Sequence, residues 1–134
     1  MATPRTVLFD LDGTLIDSVD LIVDSYLHTF RTHSLTPISR EQIIDGVGTP
    51  LVAVFREWSQ DQADIARWIA TYREYNLAHH DARIRAFPGI VEMISRIHNA
   101  GRHLGIVTSK NNAGARRGLK LIGIEERMSV VIGA

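Results

Sequence analysis

The chain has 134 residues, 45% of them apolar, with 15 basic against 15 acidic side chains and no cysteine. That length suits one domain by the usual allowance of roughly 100–200 residues. The neutral balance leaves no electrostatic footprint for nucleic acid or a membrane surface, and the absence of thiols excludes disulfides, zinc–thiolate sites and thiol catalysis.

A small molecule held by local charge is therefore the expected partner. No apolar run approaches a membrane span, and MATPRTVLFD at the N-terminus has neither a long apolar core nor a cleavage site, so the chain reads as cytoplasmic. Residues 6–10, TVLFD, form a short apolar run closed by Asp12-Gly13, as expected of a strand buried on both faces of a parallel sheet. Val19, Ile22, Val23, Tyr26, Leu27 and Phe30 then recur at helical spacing, with Asp17 or Ser18 as the cap. Ser39 opens a second helix, and Gln42 three places on completes a capping-box pattern. That helix is expected to stop near Gly46. Thr49 as cap and Pro50 as first helical residue start a third, with Leu51, Val54, Phe55 and Trp58 on its apolar face. A fourth runs from about Asp61 to His79, with Ile65, Trp68, Ile69 and Tyr72 on one side.

The grammar changes at AFPGI, residues 86–90. A helix follows to about Asn99 and is closed by Gly101. HLGIVTS, residues 103–109, is a second apolar strand; a helix from about Ala113 to Leu121 comes next, and SVVIG, residues 129–133, is a third strand. Strand, four helices, then alternating helix and strand imply an α/β fold: a partial Rossmann-like parallel sheet of three strands with an inserted helical-bundle cap. The expected division is 1–15 with 87–134 for the sheet and 16–86 for the cap.

In an open parallel sheet, ligands bind beyond the carboxyl ends of the strands. Asp10 ends the first strand, and Thr108 and Ser109 end the second, so neighbouring strands would bring an aspartate pair and a hydroxyl to one spot, with Ser109 a further candidate for phosphate. Backbone N–H groups around Asp12, Gly13 and Thr14 are candidates for an anion nest, and Lys110 for a further phosphate contact. One carboxylate can act as a nucleophile on phosphorus and a second as acid and base, while both attract a hard cation such as Mg²⁺. The set points to phosphoryl transfer. Elsewhere the residue types are better explained by packing or solvation. The rings of His79 and His80 diverge on a helix without a third ligand, Trp58 and Trp68 fall on core stripes, and Arg116-Arg117 suits a solvated face.

FDLDGTLIDS, residues 9–18, closely resembles the first motif of the haloacid dehalogenase-like hydrolases, and GIVTSK, residues 105–110, is similar to their second. AFPGI resembles the point where such chains re-enter the core after a helical cap, as in the phosphoglycolate phosphatase-like branch. The resemblance implies Asp10 as the nucleophile forming an aspartyl-phosphate, Asp12 as the acid that becomes the base, and Thr108 as a phosphate ligand. It implies Mg²⁺ held by the Asp10 carboxylate and the Asp12 carbonyl. It also implies that GVGTPL, residues 46–51, faces the substrate, making Gly46, Thr49 and Arg56 candidates for specificity. A small phosphate monoester of the phosphoglycolate kind is the expected substrate. A phosphonatase is disfavoured because no lysine lies between Leu15 and Ala86.

The family pattern goes on to a lysine after the third strand and to metal-binding aspartates after a fourth, beyond Ala134. The resemblance therefore suggests a truncated chain of impaired activity, or a remnant that binds phosphate or metal without turnover. The first strand becomes an edge, Val7 and Phe9 lose cover, and self-association or a partner chain is expected to cover that edge.

Overall fold

The structure is a computed structural model and describes residues 2–134. In chain order the elements are β1 (Thr6–Phe9), β2 (Ile16–Asp17), α1 (Val19–Thr32), α2 (Arg40–Asp45), α3 (Leu51–Phe55), α4 (Gln62–Arg83), β3 (Arg85–Ala86), α5 (Ile90–Asn99), β4 (His103–Val107), α6 (Asn112–Leu121), a 3-10 turn (Glu125–Arg127) and β5 (Val130–Ile132). They form two compact units, one of residues 1–17 with 84–134 and one of residues 18–83.

The first unit is built on a parallel sheet of order β1-β4-β5, with Phe9 opposite Ile106 and Ile106 opposite Val131. Both steps across the sheet run the same way. Right-handed crossovers therefore put α5 and α6 on one face. Leu104, Ile106 and Val131 point to that face and are buried, as are Ile94 of α5 and Ala115 and Leu119 of α6. The alternate positions, Leu8, Val107, Val130 and Ile132, are 57%, 45%, 41% and 52% exposed, so the other face is apolar and bare. This corrects the expectation for β1: Val7 and Phe9 are half-buried, and Leu8 is the residue without cover. Gly105 lies at the centre of that face, where the Leu8 and Val130 side chains close over it. A Cβ there would lie 2.7 Å from both Leu8 Cδ2 and Val130 Cγ1.

A two-stranded antiparallel ribbon, β2 with β3, pairs Ile16 with Ala86 and Asp17 with Arg85. Asp17 therefore belongs to a strand, and Ser18 stands at the head of α1 without a side-chain capping bond. Ribbons of two residues carry no periodicity, which is why the sequence does not announce this one.

The second unit is a helical bundle in which α1 and α4 pack together. Its core is aromatic. The Tyr26 ring lies 4.8 Å from Tyr72 and 5.8 Å from Phe55, and Phe55 lies 5.8 Å from Trp68. Two hydroxyls buried in α1 are satisfied locally: Ser25 donates to the Leu21 carbonyl and Thr29 to the Ser25 carbonyl, while Asn76 donates across to Ser25. The capping box of α2 is present in full, with Ser39 accepting from the Gln42 N–H and Gln42 accepting from the Ser39 N–H. At α3 the cap is Pro50, not Thr49. No side chain caps this helix, and the Thr49 N–H donates to the Gly46 carbonyl at 3.0 Å. The His79 ring packs tilted against Tyr75 at 4.4 Å, and buried His80 pairs with Asp81. No group of three or more potential metal-ligating side chains occurs among the described residues.

Candidate active site

β1 delivers Asp10 one residue past its last pair, Phe9 opposite Ile106, and β4 delivers Thr108 one residue past Val107. Both are therefore at the carboxyl end of the sheet, where open α/β folds bind ligands. The Asp10 Oδ1 accepts the Leu11 N–H at 2.7 Å, which fixes the carboxylate at the strand mouth.

The chain then turns sharply. The N–H groups of Thr14, Leu15 and Ile16 all converge on the Leu11 carbonyl, and the Gly13 N–H donates to Ile16. Gly13 has φ +76°, a conformation glycine adopts without strain. The turn corrects one expectation. With the Gly13 and Thr14 N–H groups used internally, an anion nest built from them does not form, and Thr14 offers its exposed side chain instead. The turn also swings Asp12 back toward the β4 loop.

In that loop, Thr108 Oγ1 accepts the Lys110 N–H at 3.1 Å, and the Thr108 N–H donates to Ile132 at 2.9 Å. The hydroxyl is thus anchored between two strands. Ser109 follows it, half-buried. Lys110 reaches back 98 positions in sequence to place Nζ 3.5 Å from Asp12 Oδ1, with both side chains largely buried. An ion pair in such partial burial is screened less than one at the surface.

Two supports of this lysine were not foreseen from the sequence. Gly114, in the first turn of α6, leaves room for the lysine stem: a Cβ there would lie 3.1 Å from Lys110 Cε. The Asn111 side chain caps α6 by accepting from the Gly114 N–H at 2.8 Å, which fixes that turn. Spacing gives no hint of either, although a small residue one turn from a loop lysine is consistent with such a contact.

Asp10, Asp12, Thr108, Ser109 and Lys110 therefore share one end of the sheet unit. Gly46, Thr49 and Arg56 lie in the helical unit. Gly46 closes α2, Gly48 has φ +102°, and exposed Arg56 closes α3 and accepts from the Gln60 side chain at its carbonyl.

Comparisons with known proteins bear on the family of the chain. A family model described as haloacid dehalogenase-like hydrolase matches residues 7–134. The chain is 40% identical over 128 residues to a pyrophosphatase PpaX from Halalkalibacterium halodurans, covering 96% of this chain and 59% of that protein. It is 41% identical over 129 residues to a pyrophosphatase PpaX from Listeria monocytogenes, covering 96% and 58% respectively. A solved structure of a predicted phosphatase from Clostridium acetobutylicum aligns with TM-score 0.88 at 27% identity, over 99% of this chain and 62% of that one. The chain thus spans less than two thirds of the length of these relatives.

Proposed function

The chain belongs to the haloacid dehalogenase-like hydrolases, and from that membership we propose a hydrolase that transfers a phosphoryl group from a small phosphorylated metabolite to Asp10 and then to water. The observation that supports it best is the placement of Asp10, and of Asp12 paired with Lys110, beside the Thr108 hydroxyl at the carboxyl end of two adjacent strands.

In this reading a carboxylate oxygen of Asp10 attacks phosphorus, and the bond to the leaving oxygen breaks. Asp12 gives that oxygen its proton. Water then yields a proton to Asp12 as its oxygen attacks the aspartyl-phosphate, which restores both carboxyl groups. Thr108, Ser109 and Lys110 donate to the phosphate oxygens. Gly46, Thr49 and Arg56 are the candidates for reading the rest of the substrate.

Mg²⁺ suits the donor set, which is all hard oxygen: the Asp10 carboxylate, oriented by the Leu11 amide, and the Asp12 carbonyl. Mg²⁺ is commonly held by one or two carboxylates together with water and substrate phosphate. When bound, it would supply positive charge against the incoming phosphate.

The test is Mg²⁺-dependent phosphate release from p-nitrophenyl phosphate, which Asp10→Asn is expected to abolish. Calorimetry with Mg²⁺ should show weakened binding in the same variant. Phosphate binding without turnover in any form would instead make the chain a binding module. The relatives' names set inorganic pyrophosphate beside a phosphoglycolate-like monoester as candidate substrates.

A further inference from the structure

The loop that carries Thr108 and Lys110 is held by the strand beside it. Parallel neighbours end side by side, so the chain leaving β5 runs along the loop leaving β4. Two hydrogen bonds join them: the Thr108 N–H donates to the Ile132 carbonyl at 2.9 Å, and the Ala134 N–H donates to the Lys110 carbonyl at 2.9 Å. Gly133 lies between these bonds. A Cβ there would stand 2.5 Å from the Lys110 carbonyl oxygen, 2.8 Å from the Asn112 nitrogen and 3.0 Å from Asn112 Oδ1. The two nearest atoms are backbone, so no side-chain rotation makes room. Gly133 has no positive φ, so the demand at this position is for space and not for a special backbone conformation.

We infer that Gly133 is a positioning residue, which sets where Lys110 meets Asp12; its bearing on catalysis rests on the reading above. Lys110 Nζ stands 3.5 Å from Asp12 Oδ1, long for a direct hydrogen bond, so little further separation breaks the contact. A lysine stem on an open surface would absorb a small shift of its own backbone. Here the stem and its slot move together. Asn112 is the first residue of α6, and Gly114 in the same turn makes the slot, where a Cβ would lie 3.1 Å from Lys110 Cε. A Cβ at position 133 therefore pushes Lys110 and Asn112 away from β5 as one piece, and Nζ is carried with them. Thr108 is fixed separately, by its own N–H on Ile132. The glycine thus acts on the ammonium and not on the hydroxyl.

The chain has only two lysines, Lys110 and exposed Lys120, so amine acetylation read by mass spectrometry follows Lys110 against an internal control. The contact with Asp12 withholds the Lys110 amine from the reagent. Gly133→Ala is expected to raise acetylation of Lys110 relative to Lys120 about threefold, the scale of one partly exposed ion pair. Ala134→Pro, which removes the N–H bonded to Lys110 without adding an atom at 133, is expected to act in the same direction. Asp12→Asn frees the amine by itself, so Gly133→Ala added to it is expected to change the ratio less than about 1.5-fold. With p-nitrophenyl phosphate, Gly133→Ala is expected to lower kcat/KM about tenfold in the otherwise wild-type chain and less than about twofold beside Lys110→Gln. An unchanged ratio in both variants, with wild-type circular dichroism, would overturn the inference and leave the hydrolase reading intact. The same holds if Gly133→Ala multiplies the ratio equally with and without Asp12→Asn, since that marks a general loosening of the loop. A ratio that rises and no longer does so beside Asp12→Asn, in a chain that hydrolyses nothing, would uphold the positioning and overturn the hydrolase reading.

Discussion

Tyr26 makes the helical unit sensitive to alkali. Its ring is 6% exposed and enclosed by Phe30, Phe55 and Tyr72. Burial raises its pKa from 10.0 to about 12, because a phenolate there would lose its hydration. Well below pH 10 both folded and unfolded chains keep the proton, and Tyr26 contributes no pH dependence. Between about 10 and 12 the unfolded chain releases a proton that the folded chain retains, so ionisation favours unfolding. A tenfold change in the proton equilibrium corresponds to about 1.4 kcal/mol, so roughly 1.4 kcal/mol is lost by pH 11 and roughly 2.3 kcal/mol by pH 12. Both tryptophans, Trp58 and Trp68, lie in the same unit as Tyr26, so tryptophan fluorescence during urea unfolding follows that unit alone. The measurement is unfolding free energy against pH from 9 to 11.5 for the wild type and Tyr26→Phe. The substitution keeps the ring and removes the titrating hydroxyl, so the wild-type curve should fall more steeply by about 1.4 kcal/mol at pH 11. Parallel curves would refute the reasoning, because other groups that titrate in this range are common to both proteins.

The two faces of the sheet give a second contrast: Ile106→Ala, at a fully buried position, is expected to cost about 2–5 kcal/mol, and Ile132→Ala, half exposed, less than about 1 kcal/mol, by denaturant unfolding followed by circular dichroism. Ser39→Ala removes one arm of the α2 capping box and should destabilise the helical unit by about 1 kcal/mol, measured by the same fluorescence signal. The bare apolar face should drive self-association, visible as a concentration-dependent sedimentation coefficient that Leu8→Lys lowers; a strictly monomeric wild-type chain would contradict this.

The strands of the sheet were legible because TVLF, HLGIV and VVI are short continuous apolar runs between turn residues, which is how a parallel sheet appears in sequence. The α2 cap was legible because Ser39 and Gln42 stand at the spacing at which the two groups satisfy each other's backbone. Thr49 misled because its hydroxyl suits a cap, whereas the helix begins at Leu51 with Pro50 in the cap position. The exposure of Leu8 was hidden for a different reason. Which side of a strand is covered depends on where two crossover helices pass, and handedness decides that only once the strand order is known. The positions of Asp10 and Thr108 were legible because each directly follows a strand. The meeting of Lys110 with Asp12 was not, since nothing in local spacing joins residues 98 positions apart.

The glycine at 105 leaves a gap in the middle strand that Leu8 and Val130 bridge from either side. Side chains from both outer strands thus close over the same backbone position of the middle strand. Both side chains cover the same glycine, so the costs of Leu8→Ala and Val130→Ala are expected to be non-additive, a coupling between strands that share no backbone bond.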